Sequence, residues 1–238
     1  AYEDIAVDVT VVQNENGRMK KKRDSYRKQT VCQMMKYYQQ LRLKKIGTGF
    51  WLNETQKLVE ELLLFDDKDM ASRLFQAQLL ITKERYNEAK WILDRIAPYF
   101  EGTVSEPVLY CYFLYLNTLY NREENYVNQV AEEVEGIYRE NAGNWRIAWL
   151  LLYLSEEYSK SAQKKWLFLE EQFHYGCTSP IIYAEAAWLV IGNPALLMKM
   201  DAFELQVLNY MAKNEVLTME TVTQVQYLVQ KTKEYKER

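Results

Sequence analysis

Three segments of the chain carry a stripe of mostly apolar residues with the same internal spacing. In each stripe the later members follow the first by 4, 7 and 11 residues, which traces one face of an α-helix. The stripes are Ala89, Leu93, Ile96 and Phe100; Val130, Val134, Ile137 and Asn141; and Ala162, Trp166, Leu169 and Phe173. Each of these helices has one face to bury against a neighbour, and the recurrence indicates a repeat.

The helix ahead of each stripe recurs as well. Helices that would each be the first of a pair are predicted to begin near residues 69, 106, 144 and 180. The intervals between them are 36 to 38 residues, as in a helix–turn–helix solenoid. Only 8 Gly and 4 Pro occur in 238 residues, which favours long helices joined by short connections. The sequence predicts helices over 28–45, 51–65, 69–82, 86–99, 106–121, 124–140, 144–154, 157–174, 180–192, 202–213 and 218–236.

One of these helix pairs has the pattern of a known repeat family. Ala77, the turn Tyr86-Asn87-Glu88-Ala89, and then Leu93 and Ile96 resemble the tetratricopeptide repeat. The resemblance implies an all-α, right-handed helical-repeat solenoid over residues 28–238, in which the first helix of each pair lines a groove for a peptide or a partner domain. A β tail leading into such an array is also similar to large bacterial proteins of unknown function, of which this chain would be one part.

The first residues follow a different pattern. Ile5, Val7, Val9 and Val11 alternate with smaller or polar residues, which predicts a short β-strand, and Asn14–Gly17 supplies a turn. Either residues 18–23 return as the second strand of a hairpin, or the strand is the remnant of a preceding β domain, which is the favoured interpretation. Residues 1–27 are therefore predicted to be a β tail and basic linker ahead of the helical array.

A strongly basic segment covers residues 18–28. It holds seven Lys and Arg residues against one acid, Asp24, whereas the whole chain has a net charge of −3. This segment could be a patch for an anionic partner. It could also be a solvated linker or the exposed start of a helix, which is the favoured interpretation. The net negative charge of the whole chain argues against nucleic acid as a partner.

The sequence contains few residues that could support catalysis or metal binding. His174 is the only histidine, and its spacing from Glu171 and Cys177 would need further ligands to make a metal site, so a histidine at a helix end is favoured. Neither a nucleophile elbow nor a phosphate-binding loop occurs. The sequence therefore predicts a protein that is not an enzyme and has no cofactor or metal. A site assembled from scattered carboxylates is the remaining catalytic alternative.

The cysteines and the hydropathy bear on the compartment. Cys32, Cys111 and Cys177 are odd in number and far apart in the sequence, which favours a reducing compartment such as the cytoplasm. No uncharged apolar stretch reaches about 18 residues, the length that a membrane-spanning helix needs.

The leading functional prediction is a scaffold for protein–protein interaction. Aligning the repeats on their stripes gives these candidates for an exposed groove on the inner helices: Gln78, Tyr112, Tyr115, Arg122 and Asn144. Tyr and Arg are typical of binding hot spots. Packing between repeats is the other explanation for Tyr112 and Tyr115, and a charge at a helix C-terminus is the other explanation for Arg122. The alternative function is a structural spacer, with neighbouring domains expected in a longer chain.

Overall fold

Helices account for the regular structure of the part of the chain that can be described. The structure is a computed structural model, and it describes residues 17–31, 33, 34, 37, 49–101, 106–209 and 216–238. Within these ranges there are α-helices, short 3-10 helices and turns, and no strand. The all-α class is therefore confirmed for the described residues. The predicted strand at residues 5–11 lies outside them.

The chain divides into two compact units, Ala1–Leu79 and Leu80–Arg238, and the boundary falls inside a helix. The first unit contains helix α1 over residues 17–31, α2 at Gly49–Phe65 and most of α3 at Met70–Thr82. Tyr26 of α1 packs against Phe65 of α2, with ring centroids 5.9 Å apart. Arg27 forms an ion pair with Asp69, whose carboxylate also accepts a 2.9 Å hydrogen bond from the Ser72 amide at the start of α3.

The beginning of the helical region differs from the prediction in two respects. Residues 18–23 are helical, so the suggestion that they form the second strand of a hairpin was wrong. The helix predicted to begin at residue 28 already includes residues 17–27, so the predicted boundary between tail and array at residue 27 lies within a helix. The physical reason is that Tyr26, Thr30 and Met34 recur at four-residue spacing and give this basic segment a face to pack.

The second unit contains nine further α-helices among its described residues. They are α4 at Tyr86–Ile96, α5 at Pro107–Tyr120, α6 at Glu124–Glu140, α7 at Trp145–Leu154, α8 at Glu156–Ser159, α9 at Ala162–His174, α10 at Pro180–Gly192, α11 at Ala202–Asn209 and α12 at Met219–Lys236. Short 3-10 helices occupy Ala97–Phe100 and Pro194–Lys199. Helices α3, α5, α7, α10 and α12 begin at intervals of 35 to 39 residues along the chain.

Local capping explains where several of these helices begin. The side chains of Asn144, Ser161, Ser179 and Thr218 each accept a hydrogen bond from a backbone amide in the first turn that follows. The cap at Ser161 also corrects a prediction. The helix expected over 157–174 is two helices, α8 and α9, because Ser161 is extended and its hydroxyl binds the Lys164 amide at 3.1 Å.

The apolar stripes of the sequence are largely buried. Ala89, Leu93 and Ile96 of α4 are inaccessible to solvent or nearly so, as are Val130 and Val134 of α6 and Trp166, Leu169 and Phe173 of α9. Helix α10 packs against α9 and α12 and is buried on almost every side. Its alanines at 184, 186 and 187 have no exposed surface, and such small side chains let neighbouring helices approach closely.

Two glycines in the second unit are expected to respond to alanine substitution in opposite directions. Gly143 has a φ of +83°, and an added Cβ would lie 3.1 Å from the Tyr175 ring, so Gly143→Ala should destabilise the protein by about 1 to 2 kcal/mol. Gly136 lies within α6 with open space around it, so Gly136→Ala should stabilise it by about 0.5 to 1 kcal/mol. Chemical denaturation measures both, and equal shifts in one direction would contradict the assigned backbone conformations.

Candidate binding face on helices α5, α7 and α10

A carboxylate with no solvent exposure lies at the centre of the most distinctive polar cluster in the second unit. Glu185 of α10 has 0% of its surface exposed. Its Oε1 accepts hydrogen bonds from the Trp149 indole at 3.3 Å and from the Tyr153 hydroxyl, both on α7. Its Oε2 accepts from Lys165 Nζ of α9 at 3.1 Å. One side chain therefore joins three helices.

The surroundings of Glu185 account for its burial. An ionised carboxylate is costly to remove from water unless charged and neutral donors replace its hydration. Lys165 supplies the opposite charge, and its side chain is 20% exposed, so the ammonium group keeps some contact with solvent. Trp149 and Tyr153 supply neutral donors. Because the pair and its donors come from different helices, the cluster fixes the positions of α7, α9 and α10 relative to one another.

Aromatic rings extend this cluster to the protein surface. Tyr153 packs edge-on against Trp149, with centroids 5.9 Å apart, and against Tyr115 of α5, with centroids 6.4 Å apart. Tyr153 is 42% exposed, while Tyr115 and Trp149 are half-buried. We refer to Tyr115, Trp149, Tyr153, Lys165 and Glu185, together with Tyr112 one turn before Tyr115 on α5, as the aromatic face. Its rings are partly exposed to solvent, and the buried Glu185 carboxylate beneath them accepts hydrogen bonds at both oxygens.

The five residues predicted from the sequence have different environments. Tyr112 and Tyr115 are half-buried on α5, and the contact of Tyr115 with Tyr153 places it on the aromatic face. Arg122 is exposed just after α5, and its Nε donates to the Leu119 carbonyl at 3.3 Å, as expected for a charge at a helix C-terminus. Asn144 is half-buried and caps α7 by accepting from the Arg146 amide at 3.2 Å.

The expectation that Gln78 is exposed was wrong. Gln78 lies on α3 and is only 6% exposed. It is flanked by Ala77 and Leu79, which are also buried. Helix α3 is therefore covered on a wider arc than a single apolar stripe implies, and counting residues from one repeat to the next cannot reveal how wide that arc is.

Four important residues of the face were missed: Trp149, Tyr153, Lys165 and Glu185. The sequence does contain one indication of them. Glu185 is the only charged residue of α10, whose other positions are almost all apolar or small. A lone charge in a helix that is buried all round needs partners. Glu185 also follows Trp149 by 36 residues, which is close to the repeat interval, but the sequence alone does not identify the donors.

A second buried carboxylate lies further along the same unit. Glu204 of α11 is 8% exposed and accepts a 2.6 Å hydrogen bond from the Trp166 indole of α9. Its amide donates to the Asp201 side chain at 2.9 Å, and its carboxylate accepts from the Asp201 amide, which is the reciprocal pattern of a capping box. This carboxylate therefore has a structural role in starting α11.

Two cysteines and the histidine lie among the described residues, and their surroundings can be compared with those of catalytic groups. Burial raises the pKa of the Cys111 thiol to about 12, and burial also raises the pKa of Cys177, so neither thiol is activated as a nucleophile. His174 is exposed in the last turn of α9, where it lies 3.3 Å from Glu170 Oε1 and stacks on Phe203. In the described part of the chain, no three His, Cys, Asp or Glu residues lie close enough to hold a metal ion.

Acidic side chains with displaced pKa values do not resemble catalytic acids. The hydrogen bond and charge of Lys164 lower the pKa of Glu157, and hydrogen bonds from Gln230 and Lys231 lower that of Glu234. A general acid needs a raised pKa instead. Both carboxylates are exposed or half-exposed members of surface ion pairs.

The described residues define an all-α protein of packed helices that carries an aromatic face with a buried ion pair. The chain belongs to the family described as family of unknown function (DUF5717) N-terminal, whose model matches residues 1–238. No curated protein and no solved structure matches the chain. Among the described helices, none combines the length and the apolar character that crossing a membrane requires.

Proposed function

We propose that this protein is a non-catalytic scaffold that binds a protein or peptide partner on its aromatic face. In this proposal the helix pairs form a right-handed, tetratricopeptide-like solenoid, and α5, α7 and α10 are the first helices of successive pairs. The observation that carries the proposal is the Tyr153 ring, which is 42% exposed while its hydroxyl is bonded to the buried Glu185. Rigid, partly exposed aromatic side chains are typical of binding hot spots.

The chemistry of the face favours an extended peptide or a loop of a partner domain. Tyr112, Tyr115 and Tyr153 offer ring surface, and Arg122 offers an exposed charge near one end of α5. Rings of this kind contribute contact area at a low cost in conformational entropy, since a tyrosine has only two side-chain torsions. The proposal needs neither a cofactor nor a metal.

A peptide selected for binding to the protein tests this function. Peptides from a random display library would be selected on the wild type, and their affinities measured by calorimetry. The variant Tyr112→Ala/Tyr115→Ala/Arg122→Ala is expected to bind at least about tenfold more weakly, because truncating a hot-spot residue costs more than about 1.4 kcal/mol.

The matched control replaces tyrosines on another surface. Tyr227→Ala/Tyr235→Ala removes two rings that are 61% and 68% exposed on α12, and it should leave peptide affinity unchanged. Circular dichroism establishes that each variant is folded. The assignment of the aromatic face would be overturned if the wild type and the Tyr112/Tyr115/Arg122 variant bound the peptide with equal affinity. It would also be overturned if only the α12 variant lost binding.

The second candidate function is that of a structural spacer, and α12 favours it. Met219, Thr223, Tyr227, Lys231 and Tyr235 follow one another at four-residue intervals and are all exposed. The opposite side of α12 is buried through Val222, Val225 and Val229. An exposed helix side with Met219 and two tyrosines is the kind of surface on which a neighbouring domain docks.

A further inference from the structure

We propose that the exposed side of α1 binds the surface of an anionic phospholipid bilayer. This inference does not depend on the aromatic face, since α1 belongs to the first unit. The charge of the chain is unevenly distributed. Residues 1–79 hold 14 Lys and Arg against 11 acidic residues, whereas residues 80–238 hold 16 against 22. Seven of the 14 cations lie between residues 18 and 28, on a segment that is entirely helical.

One side of α1 attaches the helix to its own unit. Tyr26 packs on the Phe65 ring, Arg27 pairs with Asp69, and Thr30 is buried. Lys22 lies with its ammonium 5.2 Å from the centre of the Phe65 ring. These contacts hold α1 against α2 and the start of α3, so its orientation within the first unit does not depend on a ligand.

The other side of α1 presents cations to solvent. Arg18, Lys21 and Lys28 are exposed and, at spacings of three and seven residues, lie on one side of the helix, and Lys20 is exposed beside them. Within the described residues, Arg18, Lys20 and Lys21 form no ion pair with an acidic side chain. Arg18, Lys20 and Lys21 therefore carry positive charge that no described acidic side chain compensates.

The crowding of these cations along the helix raises their electrostatic energy. Arg18 lies three residues from Lys21 and four from Lys22, which brings like charges close together on the helix. An anionic surface beside this part of the helix would relieve the repulsion.

A bilayer fits this face better than a nucleic acid or an acidic peptide does. Clusters of four to eight Lys and Arg on an amphipathic helix are typical of binding to anionic lipids. Nucleic-acid-binding domains are generally strongly basic in their total charge, whereas this chain has a net charge of −3.

The bound state would be superficial and sensitive to salt. The apolar side of α1 is already packed against the protein, so the helix cannot insert by exchanging that side for lipid. Attraction then depends on the charges. Each cation at an anionic surface strengthens binding by roughly fivefold, and this attraction falls off within a Debye length.

Co-sedimentation with lipid vesicles tests the inference. The full chain would be mixed at 0.1 M salt with vesicles of phosphatidylcholine alone, or with vesicles containing about a third phosphatidylserine. The expected result is sedimentation with the anionic vesicles only, and release at 1 M salt. Replacing three cations in R18Q/K20Q/K21Q should weaken binding by about 100-fold, since glutamine preserves helix propensity while removing charge.

The matched control removes the same number of charges elsewhere. Lys68, Lys160 and Lys199 are exposed and lie outside α1, so K68Q/K160Q/K199Q should bind anionic vesicles like the wild type. Circular dichroism checks that both variants are folded. Equal loss of binding in the two variants, or no binding of the wild type to anionic vesicles, would overturn the inference. So would binding to a short DNA duplex at 0.15 M salt that depends on the α1 cations while vesicles are ignored.

Discussion

Replacing Lys165 by methionine is expected to lower the free energy of unfolding by about 3 kcal/mol. The reason is the environment of its partner, because Glu185 is fully buried and would be left without an opposite charge, with only the neutral donors Trp149 and Tyr153. Urea denaturation followed by tryptophan fluorescence measures the change. The double variant Lys165→Met/Glu185→Leu should recover most of the lost stability, since an apolar pair often replaces a buried ion pair without cost.

The neighbouring residue provides the control for this experiment. Lys164 pairs with Glu157 at 2.6 Å, but both side chains are largely exposed. Lys164→Met changes the charge in the same way and is expected to leave the free energy of unfolding almost unchanged, because exposed pairs contribute little. If the two single variants lost equal stability, the Glu185 ion pair would not have the structural role assigned to it.

Alkaline pH is expected to unfold the protein between about pH 10 and pH 12. Burial, together with hydrogen bonds to Glu133 and Glu135 respectively, raises the pKa values of Tyr110 and Tyr158 from 10.0 to about 12. A tyrosine whose pKa is raised by folding binds its proton more tightly in the folded state. Its contribution to stability is therefore complete below pH 10 and disappears as the pH rises through 12.

Denaturation midpoints measured from pH 7 to pH 12 check this sign. The midpoint should stay level to about pH 9 and then fall. The variant Tyr110→Phe/Tyr158→Phe has no hydroxyl to ionise at these positions, so the fall should be shallower even if the variant is less stable at neutral pH. If the midpoint fell as steeply in the variant as in the wild type, groups other than Tyr110 and Tyr158 would be responsible for the loss of stability at alkaline pH.

Most of the helices could be predicted because their causes are local. Apolar periodicity, a serine or asparagine cap, or a proline in the first turn marks the starts of α5, α7 and α10 to within a residue. The division between α8 and α9 was missed because residues 157–174 are continuously favourable for a helix. The hydrogen bond from the Lys164 amide to the Ser161 hydroxyl, which starts α9 at a new point, cannot be predicted from the spacing of apolar residues.

The site was less predictable because its partners are distant in the sequence. Repeat alignment made Tyr115 a candidate, but its neighbour Tyr153 lies on α7, and Glu185 lies on α10. The pairing of Glu185 with Lys165, rather than with any other cation, depends on how α9 packs against α10. Gln78 was wrongly predicted to be exposed because it is polar and occupies the position that the repeat alignment assigned to the groove. Its side chain is buried in the structure.

The hydrogen bond between Tyr153 and Glu185 also affects what a ligand would encounter. A surface tyrosine usually samples several rotamers, and binding must then restrict it at a cost in entropy. The Tyr153 ring cannot rotate away without depriving a solvent-free carboxylate of a donor. Its conformational freedom has therefore been lost during folding, and a partner that contacts this ring would bind a surface that is already ordered.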